Sequence, residues 1–254
     1  MAFKNYIKYI LNRKTKYGIH SPFVFQFINE CLNSKKDKQK LLDFKRYKKQ
    51  FVNDKSFIEI NDFGAGSKVF KTNKRKIAQI AKVAGMSRTK ALLIIKLISY
   101  LQPKNALELG TSLGIGTATM KIAYPDLPIT TLEGCKQTAL TAKKYFEKNN
   151  FSNINLTIGN FDNLLPEITI NQTFDLVYFD GNHTEIATLN YFNWCLNVVH
   201  NDTLFIFDDI HWSDGMENAW NKIIENQKVT VSIDLYHLGL VFFRKESTKQ
   251  HFIL

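Results

Sequence analysis

The 254-residue chain is 44% apolar, enough for one large core or a core with a smaller subdomain, and its formal net charge is +11. Its three cysteines, Cys31, Cys135 and Cys195, are widely spaced and odd in number, which excludes a disulfide framework and a zinc-ligand pattern. No stretch reaches the roughly 18 to 20 apolar residues of a membrane span, and no apolar signal core follows Met1, so a reducing cytoplasm is the expected setting.

In chain order, Phe3, Ile7, Ile10 and Leu11 recur at helical spacing and predict a helix over residues 3–13. A loop around residues 17–22 follows, and Ser21 before Pro22 opens a helix over 23–32. Residues 36–51 read as a basic helix with Phe44 and Tyr47 among its lysines. Residues 73–83 and 86–101 read as two more, the second starting near Ser87 and ending before Pro103. Residues 1–100 hold 23 Lys and Arg against 6 Asp and Glu, while 101–254 hold 11 against 17. The first hundred residues are therefore expected to form a basic, mainly helical extension or lid on a domain at 101–254. Such a basic region is ordinarily a solvated face, and it could also hold a phosphate backbone or an anionic membrane surface. Asp62, Phe63, Gly64, Ala65, Gly66 and Ser67 mimic a cofactor turn, but a Lys-rich segment rather than an apolar helix start follows. They read as a structural loop or as a lid loop meeting an acceptor.

Residues 106–117 carry the most information: an apolar strand containing Glu108 runs into Gly110, Thr111, Ser112, Leu113 and Gly114 and then a helix start. Glycine permits a tight turn and close backbone approach, and the unpaired amides of the following helix face a ligand. Alone, the pattern fits a dinucleotide pyrophosphate site, an S-adenosylmethionine (SAM) site or a chance glycine loop. The next apolar run, residues 129–132, ends at Glu133 and Gly134, and Glu133 lies 25 positions after Glu108. A carboxylate at the tip of a second parallel strand is placed to accept both hydroxyls of a ribose. A third strand over 155–158 leads to Asn160 and Phe161, a fourth over 174–179 to Asp180 and His183, and a fifth over 203–207 to Asp208, Asp209, His211 and Trp212. In an open parallel sheet, ligands gather at these carboxyl ends. Residues 229–237 and 238–244 read as two final strands.

Residues 100–245 resemble the class I SAM-dependent methyltransferases, specifically the metal-dependent O-methyltransferases of the catechol, caffeoyl-CoA and macrolide-sugar type. The resemblance implies a Rossmann-like α/β fold with a seven-stranded, mostly parallel sheet whose last strand is antiparallel. It implies SAM held by Glu108, Gly110, Thr111, Ser112, Gly114, Glu133, Gly134, Asn160, Phe161 and Asp180. It further implies a divalent ion on Asp180, Asp208 and Asp209, because converging carboxylates repel one another without a cation and oxygen-only ligands suit Mg²⁺ or Mn²⁺. His183, three residues after Asp180, stands where the family keeps its general base. His20, Ser67, His211 and Trp212 become candidates for contact with a small-molecule acceptor, and a homodimer is expected because related enzymes are often dimers. Each has a plainer alternative: a capped loop for Asp208 and Asp209, a metal-free contact to the SAM amino group for Asp180, a helix cap for His183, and packing for His211 and Trp212. An RNA O-methyltransferase using the basic region and a non-catalytic SAM-fold interaction protein are the rival functions.

Overall fold

Local sequence accounts for most helices in the computed structural model, which describes residues 2–13, 19–60, 72–170 and 172–254. Helix α1 is Ala2–Asn12, and α2, Pro22–Phe27, is capped by the Ser21 hydroxyl accepting from the Val24 amide before running into one wider π turn, Ile28–Leu32. Helix α3, Lys38–Val52, is capped by Asp37 and buries Leu41, Phe44, Tyr47 and Phe51 along one face. A hairpin of β1, Phe57–Glu59, and β2, Lys74–Lys76, precedes α4, Ile77–Val83. The helix expected over 73–83 thus begins as a strand, since three consecutive cations carry no helical periodicity. Helix α5, Arg88–Leu101, starts behind a Ser87 cap and stops at Gln102, whose φ of 47° lies in the left-handed region one residue before Pro103.

From here strands and helices alternate: β3 (Ala106–Leu109), α6 (Ile115–Ala123), β4 (Ile129–Glu133), α7 (Lys136–Lys148), β5 (Ile154–Ile158), α8 (Phe161–Ile168), β6 (Leu176–Phe179), α9 (Glu185–Cys195), β7 (Leu204–Asp208) and α10 (Asp214–Glu225). Strands β8 (Val231–Asp234), β9 (Leu238–Phe242) and β10 (Gln250–Ile253) follow. The last eight strands make one mostly parallel sheet, the Rossmann-like arrangement the resemblance implied. Seven were expected; the addition is β10, which pairs parallel to β8 and whose Gln250 and His251 give no apolar strand signal.

The chain divides into two units, Glu30–Phe161 and Met1–Asn29 with Asp162–Leu254. In the first, β3, β4 and β5 pair in parallel, with Glu108 opposite Thr131 and Glu133 opposite Ile158. Some of its lysines are not a solvated face. Lys40 donates to the Ser99 hydroxyl and the Ala123 carbonyl, Lys48 to the Gly85 and Met86 carbonyls, and Lys96 to the Leu32 carbonyl. These cations satisfy carbonyls left over at turns and helix ends. In the second unit β6 and β7 are buried along their whole lengths, as continuous apolar runs in a parallel sheet require, and Phe179 stacks on Phe207 at 4.3 Å. Strand β9 runs antiparallel between β7 and β8. Gly239 is obligatory there, because a Cβ would lie 2.5 Å from the Trp220 ring.

Candidate active site

In the Glu30–Phe161 unit the chain leaves β3 through a turn in which Gly110, Ser112 and Gly114 have φ of 104°, 49° and 76°. The amides of Gly110 and Thr111 both donate to the Leu132 carbonyl at 2.9 and 3.0 Å, clipping this turn to the end of β4. The Glu133 carboxylate completes the clip: one oxygen accepts from the Ser112 amide at 2.7 Å, the other from the Cys135 amide at 2.8 Å. It therefore joins the β3–α6 and β4–α7 turns. An ionised carboxylate offers about four acceptor positions, and these two amides fix its orientation.

Glu108 lies beneath the same turn and is fully buried. One of its oxygens accepts from the hydroxyls of Thr117 on α6 and Thr131 on β4, and Thr131 pairs with the Thr111 hydroxyl at 2.6 Å. The other oxygen has no hydrogen-bond partner. Burial pushes the carboxyl up to about 7 from 4.5, against the two threonine hydrogen bonds, with Glu133 adding to the rise. The proton therefore stays on the folded chain after the unfolded chain has lost it. The associated stability is present in full below pH 4.5 and is lost as pH rises to about 7, an effect of about 3 kcal/mol. Thermal melts of the wild type and Glu108→Gln across this range should show the variant free of that decline; parallel curves would place the titration elsewhere.

Gly114 has a different reason from the one its motif suggests. Its missing Cβ would sit 2.5 Å from two atoms of the Phe146 ring, so the space is taken by the α7 side chain. Further along, Asn160 is exposed and Phe161 is buried at the start of α8, with 9% of its surface accessible.

The second unit carries the acidic strand ends. Asp180 follows β6, and its carboxylate lies 3.8 Å from the His183 Nε2, an ion-pair distance longer than a hydrogen bond. Trp212 stands beside them, its ring 6.0 Å from the His183 imidazole. The cap of α9 is the Thr184 hydroxyl, not His183. Asn182, at φ 50°, donates to the Tyr191 hydroxyl at 3.1 Å and accepts from Thr184. Asp208 is the last residue of β7 and is buried, while Asp209 turns away through a left-handed φ of 52° with its amide on the His237 carbonyl. Among the described residues no three His, Cys, Asp or Glu side chains are grouped to hold a metal ion.

His211 is placed in an ion-pair cluster that the sequence does not announce. Its Nε2 meets Asp234 at 2.8 Å, its Nδ1 lies 3.4 Å from Glu217 outside hydrogen-bond geometry, and its ring stacks on Tyr236. Burial alone would lower its pKa, yet the two carboxylates hold it above the ordinary value. His20 is exposed, and Ser67, with its loop, lies outside the described residues. Sequence reading also missed Thr117 and Thr131 as braces of Glu108; the pairing of Glu108 with Thr131 was recoverable only from the strand register.

Residues 107–210 match the family model of a methyltransferase domain. No curated protein matches the chain. Similar solved structures include methyltransferase PaMTH1 of Podospora anserina with S-adenosylhomocysteine (SAH) bound, at 14% identity and a TM-score of 0.61, covering 89% of this chain and 97% of that one. The O-methyltransferase of Bacillus cereus in complex with SAH is similar at 17% identity and 0.56, over 87% and 97%. The O-methyltransferase TomG of Streptomyces achromogenes, involved in tomaymycin synthesis and solved with SAM, is similar at 17% and 0.55, over 87% and 96%. The matched residues begin within β3 and end beyond β7, so this stretch is similar to a methyltransferase domain, and the chain shares the fold of solved methyltransferases.

Proposed function

We propose that the chain transfers a methyl group from SAM to a hydroxyl of a small-molecule acceptor. The observation that carries the donor half is the Glu133 carboxylate, fixed by the Ser112 and Cys135 amides at the tip of β4, where it can accept the two ribose hydroxyls. The buried Glu108 oxygen without a hydrogen-bond partner supports the same reading. A buried acceptor left unsatisfied costs about 1 to 3 kcal/mol, and the ammonium of a methionyl group would satisfy it. Bound SAM supplies an electrophilic methyl on a sulfonium. The Gly110 to Gly114 turn presents the amides at the start of α6, and Asn160 with Phe161 are proposed for the adenine end, Asn160 with its polar edge and Phe161 through its buried ring.

Oxygen as the acceptor atom is favoured by the neighbours that are O-methyltransferases and by His183, which we propose takes the hydroxyl proton while Asp180 orients the imidazole. The expected divalent ion would fall to Asp180, Asp208 and Asp209, which are not grouped as a ligand set among the described residues. An RNA acceptor gains nothing from Lys40, Lys48 and Lys96, which are engaged within the fold. Three buried free cysteines fit a reducing cytoplasm. The test is SAH production on a panel of catechols, sugars and caffeoyl-CoA. His183→Ala should lower kcat by about a hundredfold or more with SAH affinity unchanged. Equal turnover would remove His183 from the mechanism, and no turnover on any acceptor would favour a non-catalytic role.

A further inference from the structure

Helix α1 has one side tied down and one side uncovered. The Tyr9 hydroxyl donates to the Leu254 carbonyl, and the rings of Tyr6 and Tyr9 meet Tyr236 at 5.0 and 5.2 Å. The exposed large apolar residues are Ile7 at 43%, Ile10 at 44%, Leu11 at 79% and the outer part of Tyr6 at 46%. At about 100° per residue these four fall within an arc of about 140°. Elsewhere among the described residues such side chains stand singly in sequence, as at Phe25, Leu42 and Phe57, which needs no explanation.

Charge identifies the occupant of this face. Residues 1–29 contain Lys4, Lys8, Arg13, Lys14 and Lys16 and no Asp or Glu, the first acid being Glu30. Residues 162–254 of the same unit hold 5 Lys and Arg against 13 Asp and Glu, so the cations are a local feature of the α1 region. A short apolar stripe in a cation-rich, acid-free segment suits a surface that is both apolar and anionic. A second copy of residues 1–29 would instead bring five cations against five. Among the described residues no helix is long and apolar enough to cross a membrane, so the contact would lie in the plane of the surface.

We propose that α1 seats Tyr6, Ile7, Ile10 and Leu11 in the headgroup region of an anionic lipid bilayer, holding the methyltransferase domain at that surface. The full chain should sediment with vesicles of phosphatidylcholine mixed with phosphatidylglycerol, less with phosphatidylcholine alone, and less as salt is added. Leu11→Ser should weaken binding about tenfold and the Ile10→Ser, Leu11→Ser double variant about a hundredfold. Both should keep the wild-type melting temperature and SAH affinity, which separates loss of the lipid contact from loss of the fold. No sedimentation with the mixed vesicles, or a double variant that binds like the wild type, would overturn the proposal. So would a dimer that the double variant abolishes without any vesicle binding, which would assign the face to a second copy of this chain.

Discussion

Glu133→Ala is expected to weaken SAH binding by about a hundredfold or more if Glu133 holds the ribose as proposed. Each hydrogen bond from a ribose hydroxyl to a charged carboxylate contributes about 1.5 to 3 kcal/mol, and two of them correspond to at least two decades in affinity. The substitution also frees the Ser112 and Cys135 amides, which now share the carboxylate, so both turns lose their common anchor. Isothermal titration with SAH measures the loss, and circular dichroism shows whether the fold persists. An affinity within a few-fold of wild type would remove the ribose assignment, whatever the activity of the variant.

Gly114→Ala should cost about 3 kcal/mol or more, through two separable causes. A non-glycine residue at φ 76° is strained by about 1 to 3 kcal/mol. The added methyl would also lie 2.5 Å from the Phe146 Cε1 and Cζ atoms, an overpacking of similar size. For a chain of 254 residues this lowers the melting temperature by roughly 6 to 12 °C. Combining the substitution with Phe146→Leu should recover the steric part and leave the backbone part. A melting temperature unchanged in the single variant would mean that neither constraint operates in solution.

The fold was legible wherever a pattern is local. Alternating apolar strands and helices through residues 106–208, the Ser87 cap and the Pro103 stop are each written in a few adjacent residues, and each is found in place. The glycine turn was equally visible, but its reason was not. Gly114 faces Phe146, 32 positions away in sequence, and no window around residue 114 reveals that neighbour. Strand β10 and the β1–β2 hairpin escaped because their pairing partners supply the order that their own polar residues do not advertise. His211 stood two residues beyond the Asp208-Asp209 pair and looked like part of an acceptor pocket. It is held between Asp234 and Glu217, carboxylates brought to it by β8 and α10. Lys40, Lys48 and Lys96 contributed to an apparent polyanion surface, whereas their ammonium groups close on carbonyls from other parts of the chain.

The unit containing Glu108 and Glu133 is proposed to bind the methyl donor rather than a dinucleotide. Titration of the unmutated chain with SAH and, in parallel, with NAD tests it most directly. Saturable one-site binding of SAH with no binding of NAD is the predicted result. Binding of NAD without SAH, or of neither, would contradict it.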